Sequence, residues 1–175
     1  MRLFLIGCEV LFRECCHLSA RSPHRIDHKW LSQGLHDLGA EKMSARLQAE
    51  IDAVPAGRYD AILLGYALCN NGVVGLSSAH TKLVIPRAHD CITFFLGSRA
   101  AYKAHFDTNP GTYYLTSGWL ERDNDELEDV GPSQKTAMGL GMSDEELAEL
   151  YGEENVEYLK DMLGDPLKNY HRITY

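Results

Sequence analysis

Short apolar runs alternate with amphipathic stretches through the first 120 residues. This is the pattern of a parallel sheet covered by helices on both faces. Arg2–Gly7 reads as the first strand and Glu9–Ser19 as the helix after it, which Arg21, Ser22 and Pro23 end. A second strand covers about Arg25–Leu31 and runs into Gln33-Gly34-Leu35-His36-Asp37. Met43, Leu47, Ile51 and Val54 recur at helical spacing with Glu41, Lys42, Arg46 and Glu50 between them, and Pro55 and Gly57 close that helix. Tyr59–Gly65 is almost continuously apolar, as a central strand buried on both faces must be. Asn70-Asn71-Gly72 supplies a turn, because Asn and Gly tolerate positive φ. Lys82–Pro86 predicts a further strand, Asp90–Leu96 a helix, and Ser98 caps another that reaches about Phe106. Asn109-Pro110-Gly111 then turns the chain into the β-rich run Thr112–Thr116.

From residue 120 the pattern changes. Ser143-Asp144-Glu145-Glu146 is a capping box before one helix, and about Glu154–Leu163 predicts another. Residues 131–141 read as a loop. The stretch 120–168 is therefore expected to be a helical insertion or lid on a single α/β domain spanning residues 1–175. His171–Tyr175 looks like the start of a strand, so a C-terminal portion is expected beyond it. The fold class that follows is α/β, a three-layer sandwich with a mostly parallel open sheet.

Charge sharpens this division. Of the net −8, residues 121–165 carry −12 and the rest +4. No basic face for nucleic acid is evident, and the acidic stretch is most simply a solvated appendage. No apolar run approaches the ~20 residues of a membrane helix. The seven residues before Cys8 are too few for a leader's charged and apolar regions, so the expected location is cytoplasmic. There, five cysteines without an even spacing framework are expected to be buried, metal-bound or catalytic rather than cross-linked.

The candidate chemistry lies where the apolar runs stop. They end at Cys8, at His36, at Cys69, and at His89 with Cys91. Parallel strands would set these residues side by side at the carboxyl edge of the sheet, where open α/β sheets bind ligands. Thiolates with imidazole bind zinc or hold an iron–sulfur cluster, and spacing alone does not separate the two. Cys8, Cys69 and Cys91 are the candidate thiolate ligands, with His36 or His89 completing or flanking them. The competing reading for each cysteine is a small buried hydrophobe. His36 and His89 are each followed by an aspartate, Asp37 and Asp90, which suits a proton-moving pair or an oriented ligand. Each aspartate could instead cap the following helix. Arg87 is a candidate clamp for an anionic substrate, and Tyr66 and Asn70 flank the Cys69 loop as hydrogen-bond donors. Glu9 and Glu14 read as surface acids, and Cys16-His17 as packing. The chain lacks GxGxxG, GxSxG and HExxH.

The phrases GCEVLFRECC, LSQGLHD, YDAILLGYALCNNGVVGL, LVIPRAHDCITFFLGS and NPGTYYLTSGW together resemble the domain of unknown function 1638 family over most of residues 1–120. The resemblance implies signature positions at Cys8, Leu35-His36-Asp37, Cys69 and Pro86–Cys91. One departure is Ala67, where many members have glycine. It also implies a setting beside corrinoid-dependent methyl-transfer systems, and so a role in one-carbon metabolism. The reading is a metal-dependent enzyme acting on a small molecule. The alternative is a non-catalytic module that delivers a metal or a corrinoid to a methyltransferase partner, with self-association also open. Nothing in the residues themselves supports a corrinoid.

Overall fold

The computed structural model describes residues 1–121, 143–163 and 170–174. Four parallel strands form the main sheet in the order β2-β1-β3-β4: β1 (Arg2–Cys8), β2 (Arg25–Leu31), β3 (Ala61–Gly65) and β4 (Lys82–Val84). The register of β1 runs from Arg2 opposite Arg25 to Cys8 opposite Leu31, and from Leu3 opposite Ala61 to Gly7 opposite Gly65. The fold is α/β, as the alternation of apolar runs and amphipathic stretches predicts.

Helices α1 (Phe12–Arg21) and α2 (Ala40–Asp52) cover opposite faces. The α2 face holds the main core, where Met43, Leu47 and Ile51 pack among Ile6, Ile62 and Leu64, all almost fully buried. Each such side chain contributes about 1.5–3 kcal/mol of transfer free energy. On the other face, Gly7 leaves the room that Trp30 fills, since a Cβ on Gly7 would stand 2.6 Å from the indole ring. Phe12 of α1 then packs against Trp30 with the ring centroids 5.1 Å apart and the planes tilted by 60°.

After β4 come α3 (Cys91–Phe95), α4 (Arg99–Thr108), β5 (Thr112–Tyr114) and α5 (Ser117–Glu121). The caps at α3 and α4 are those the sequence predicts: Asp90 accepts from Thr93 N–H, and Ser98 from Ala101 N–H. Beyond residue 142 lie α6 (Asp144–Tyr151) and α7 (Val156–Leu163), where two helices were expected. The expected 131–141 loop, and with it much of the proposed lid, lies outside the described residues. The final run does form a strand, β6 (Arg172–Thr174), but it pairs in parallel with β5 in a separate two-stranded sheet. No helix among the described residues is long and apolar enough to cross a membrane.

Helix α5 is held by close backbone approach. A Cβ on Gly118 would overlap the Val10 carbonyl in the 3-10 turn that follows β1. Gly118→Ala should therefore displace α5 and the adjoining Trp119. The expected result is a Trp119 fluorescence shift toward solvent exposure in a Trp30→Phe background, with a loss of stability on the order of 1–3 kcal/mol in a denaturant titration.

Candidate functional site

The strand order places a topological switch point between β1 and β3, because the chain leaves β1 toward β2 on one side while β3 and β4 lie on the other. Crevices beyond the carboxyl ends of such strands are the ordinary ligand sites of open α/β sheets. Four segments converge there. Cys8 is the last residue of β1, and the loop after β3 carries Tyr66 and Cys69. Cys91 opens α3, and the 3-10 turn Gln33–Leu38 after β2 carries His36 and Asp37. These six residues line one cavity of about 260 Å³, whose apolar wall includes Leu11, Met43, Phe94 and Trp119.

Backbone pairing explains how Cys69 and Cys91 meet. Leu68 N–H donates to Ala88 O at 3.0 Å and Cys69 N–H to His89 O at 3.2 Å, so the loops after β3 and β4 run together. Cys69 also begins a left-handed turn: Cys69, Asn70 and Asn71 have φ of 39°, 59° and 66°. Such residues cost on the order of 1 kcal/mol each, and asparagine tolerates the region best after glycine. Gly72 N–H closes the turn onto Cys69 O at 3.0 Å.

Burial dominates the electrostatics. It pushes the Cys8 and Cys91 thiols up to about 12; Cys69 and Glu9 add to it at Cys8, and Cys69, Cys8 and Asp90 at Cys91. Cys69 is raised as well, by burial first and then by Asp90. A free thiolate nucleophile is therefore disfavoured at neutral pH, whereas a bound cation would reverse the balance by taking the place of the protons. Tyr66 is 3% exposed, and its hydroxyl has no hydrogen-bond partner among the described residues. Burial, reinforced by Cys8 and Cys69, holds it protonated well above the usual tyrosine range. Leaving such a group unpaired costs about 1–3 kcal/mol, which a ligand accepting from it would offset. Among the described residues, no three His, Cys, Asp or Glu side chains close on one point as a single metal ion requires.

The two histidines part company. His36, with 57% of its side chain exposed, stands at the cavity with Nδ1 3.2 Å from Asp37 Oδ1. His89, with 75% exposed, points to a different hollow with Nδ1 3.1 Å from Asp90 Oδ2. Asp90 Oδ1 accepts from both the N–H and the hydroxyl of Thr93 at 3.1 Å, so its clearest structural role is the α3 cap. Arg87 is exposed and borders hollows other than the thiol cavity. Asn70 is an exposed member of the left-handed turn and does not line the cavity. Glu14 corrects the surface-acid reading: it is half-buried, and its Oε2 is fully enclosed. Trp119 and Gln33 were missed as lining residues. The phrase Ser117-Gly118-Trp119 was the available signal for the first, and nothing marked the second.

The family model described as Protein of unknown function (DUF1638) matches residues 30–175. The chain belongs to this family. The matched span of the DUF1638 chain includes His36, Cys69, His89 and Cys91 but begins after Cys8. The resemblance had counted Cys8 among family positions, and its place in the site rests instead on the geometry. No curated protein and no solved structure gives a significant match.

Thiol reactivity checks the electrostatics. Iodoacetamide at pH 8 should modify Cys8 and Cys91 far more slowly than a peptide cysteine. Because both pKa values are raised, the rate should climb about tenfold per pH unit toward pH 12, read by peptide mass mapping. Fast modification at pH 8 would mean that a thiolate already exists.

Proposed function

We propose that this DUF1638 protein is a metal-dependent enzyme in which Cys8, Cys69 and Cys91 hold an iron–sulfur cluster and a small molecule binds beside it. The observation that carries the reading is that these three thiols line one cavity beyond the carboxyl ends of the parallel strands. The donor set is soft, as such clusters and zinc both require. Two arguments favour the cluster. A single zinc with Zn–S bonds of about 2.3 Å needs its sulfurs drawn tightly around one point. A cluster is instead held at its corners by separate thiolates and does not require them to close on one atom.

When bound, a cluster held by three cysteines supplies electron transfer or an open coordination position for substrate. The chain's own residues do the rest. Tyr66 donates a hydrogen bond into the cavity and orients what accepts it. His36, paired with Asp37 at the exposed mouth, moves a proton between solvent and the bound molecule. Leu11, Met43, Phe94 and Trp119 exclude water from the interior. A substrate from one-carbon or corrinoid-linked methyl metabolism follows from the family resemblance alone. A corrinoid itself is far larger than a 260 Å³ cavity, so delivery of a corrinoid is the weaker reading.

Purification without oxygen tests the proposal. Iron and sulfide should be present in stoichiometric amounts with sulfur-to-iron charge-transfer absorption, and Cys8→Ser, Cys69→Ser or Cys91→Ser should each remove most of both. Cys15→Ser and Cys16→Ser should retain them. Stoichiometric zinc without sulfide would replace the cluster by zinc. Metal-free protein, or metal that survives all three substitutions, would end the metal reading.

A further inference from the structure

A second cavity of about 330 Å³ lies between α1, α3, α5 and the β5–β6 sheet. Three aromatic residues, Phe95, Tyr114 and Trp119, line it beside Ile92, Leu96 and Leu115, and the Phe95 and Trp119 rings stand 5.7 Å apart at 45°. The Tyr114 hydroxyl is engaged outside this wall by His105 Nδ1 at 2.6 Å, which fixes the ring. Glu14 reaches the same cavity from α1, and Thr116 from the turn between β5 and α5.

Two polar atoms in this wall are orphaned. Glu14 Oε2 and Thr116 Oγ1 are buried and have no hydrogen-bond partner among the described residues. Arg13, beside Glu14 on α1, pairs with Glu121 at 2.6 Å. Arg87 and Arg99 border an adjoining hollow with Glu14, yet among the described residues no ion pair joins either to it. Glu14 is half-buried, and its enclosed Oε2 has no donor among the described residues, so a cation that reaches it gains a charge-assisted contact. An anion is excluded by the same carboxylate. A hard metal ion would demand several more oxygen ligands than this wall provides. Aromatic faces around one carboxylate are instead the chemistry that recognises alkylated ammonium groups.

We propose that this cavity binds a small organic ammonium cation, with Glu14 as counter-charge, Thr116 as a polar contact and Phe95, Tyr114 and Trp119 as the π faces. Apart from Trp119 the site is made of residues that do not line the thiol cavity, and it does not depend on a metal at the cysteines. Trp119 lines both cavities, so the bound cation would lie against the wall of the thiol cavity.

The test is isothermal titration calorimetry of the full chain with choline and with its uncharged isostere, 3,3-dimethylbutan-1-ol. Choline should bind saturably, and the isostere at least about tenfold more weakly, since it lacks the charge that both the carboxylate and the rings read. Glu14→Gln should weaken choline by at least a similar factor and erase the preference for charge, with circular dichroism confirming that the variant is folded. Should Glu14→Gln fail to fold, Thr116→Val and Phe95→Leu supply the same comparison, each expected to weaken choline severalfold. Cys69→Ser should leave choline binding intact, which separates this site from the thiol site. Equal binding of choline and its isostere, undiminished binding in folded Glu14→Gln, or no saturable binding at millimolar choline would each overturn the proposal.

Discussion

Everything at the site depends on the parallel register of β1 between β2 and β3. Because all four strands point the same way, their carboxyl ends share one edge. Reversing or slipping one strand would remove its ligand from that edge, and a one-residue slip would also turn every side chain to the opposite face. The register is secured from both sides of the sheet. Ile6, Ile62 and Leu64 must meet α2, while Gly7 must leave space for Trp30. The packing on both faces of the sheet, against which Cys8 and Cys69 themselves rest, therefore determines whether the cysteines meet.

The loops complete what the register begins. Two backbone hydrogen bonds join the segment after β3 to the segment after β4, and a run of three left-handed residues turns Cys69 back toward Cys8 and Cys91. The fold tolerates unfavourable features at this point: strained backbone, buried thiols with raised pKa values and an unpaired tyrosine hydroxyl. Their coincidence in one cavity is more informative than any one of them. Buried cysteine alone is ordinary packing. Next to an orphaned donor and a strained turn, it is the observation on which the proposed metal site rests.

Much of this was legible in the chain. The alternation of apolar runs predicted the parallel sheet, and β2 was read with the bounds observed. Met43, Leu47 and Ile51 marked α2 because a helix with one buried face has few other ways to be written. Of the residues at which the apolar runs stop, Cys8, His36, Cys69 and Cys91 line one cavity and His89 does not. Other features are products of tertiary structure. Nothing in Thr112–Tyr114 names Arg172–Thr174 as its partner, since pairing across such a separation is decided by the surrounding elements. His36 and His89 have the same His-Asp pattern, yet only the first lines the thiol cavity, and the Asp beside the second also caps α3. Glu14 looked like a solvated acid, and its enclosure arises from what packs over α1, including α5 docked through Gly118.

The central claim is that three cysteines, from the end of β1, the loop after β3 and the start of α3, bind one metal group. X-ray absorption spectroscopy at the iron and zinc edges of protein isolated without oxygen addresses it most directly. The account predicts an iron edge with sulfur as the dominant first shell and a short iron–iron vector, both lost in Cys69→Ser. A metal surrounded by oxygen and nitrogen, or a sulfur shell unchanged in that variant, would contradict it.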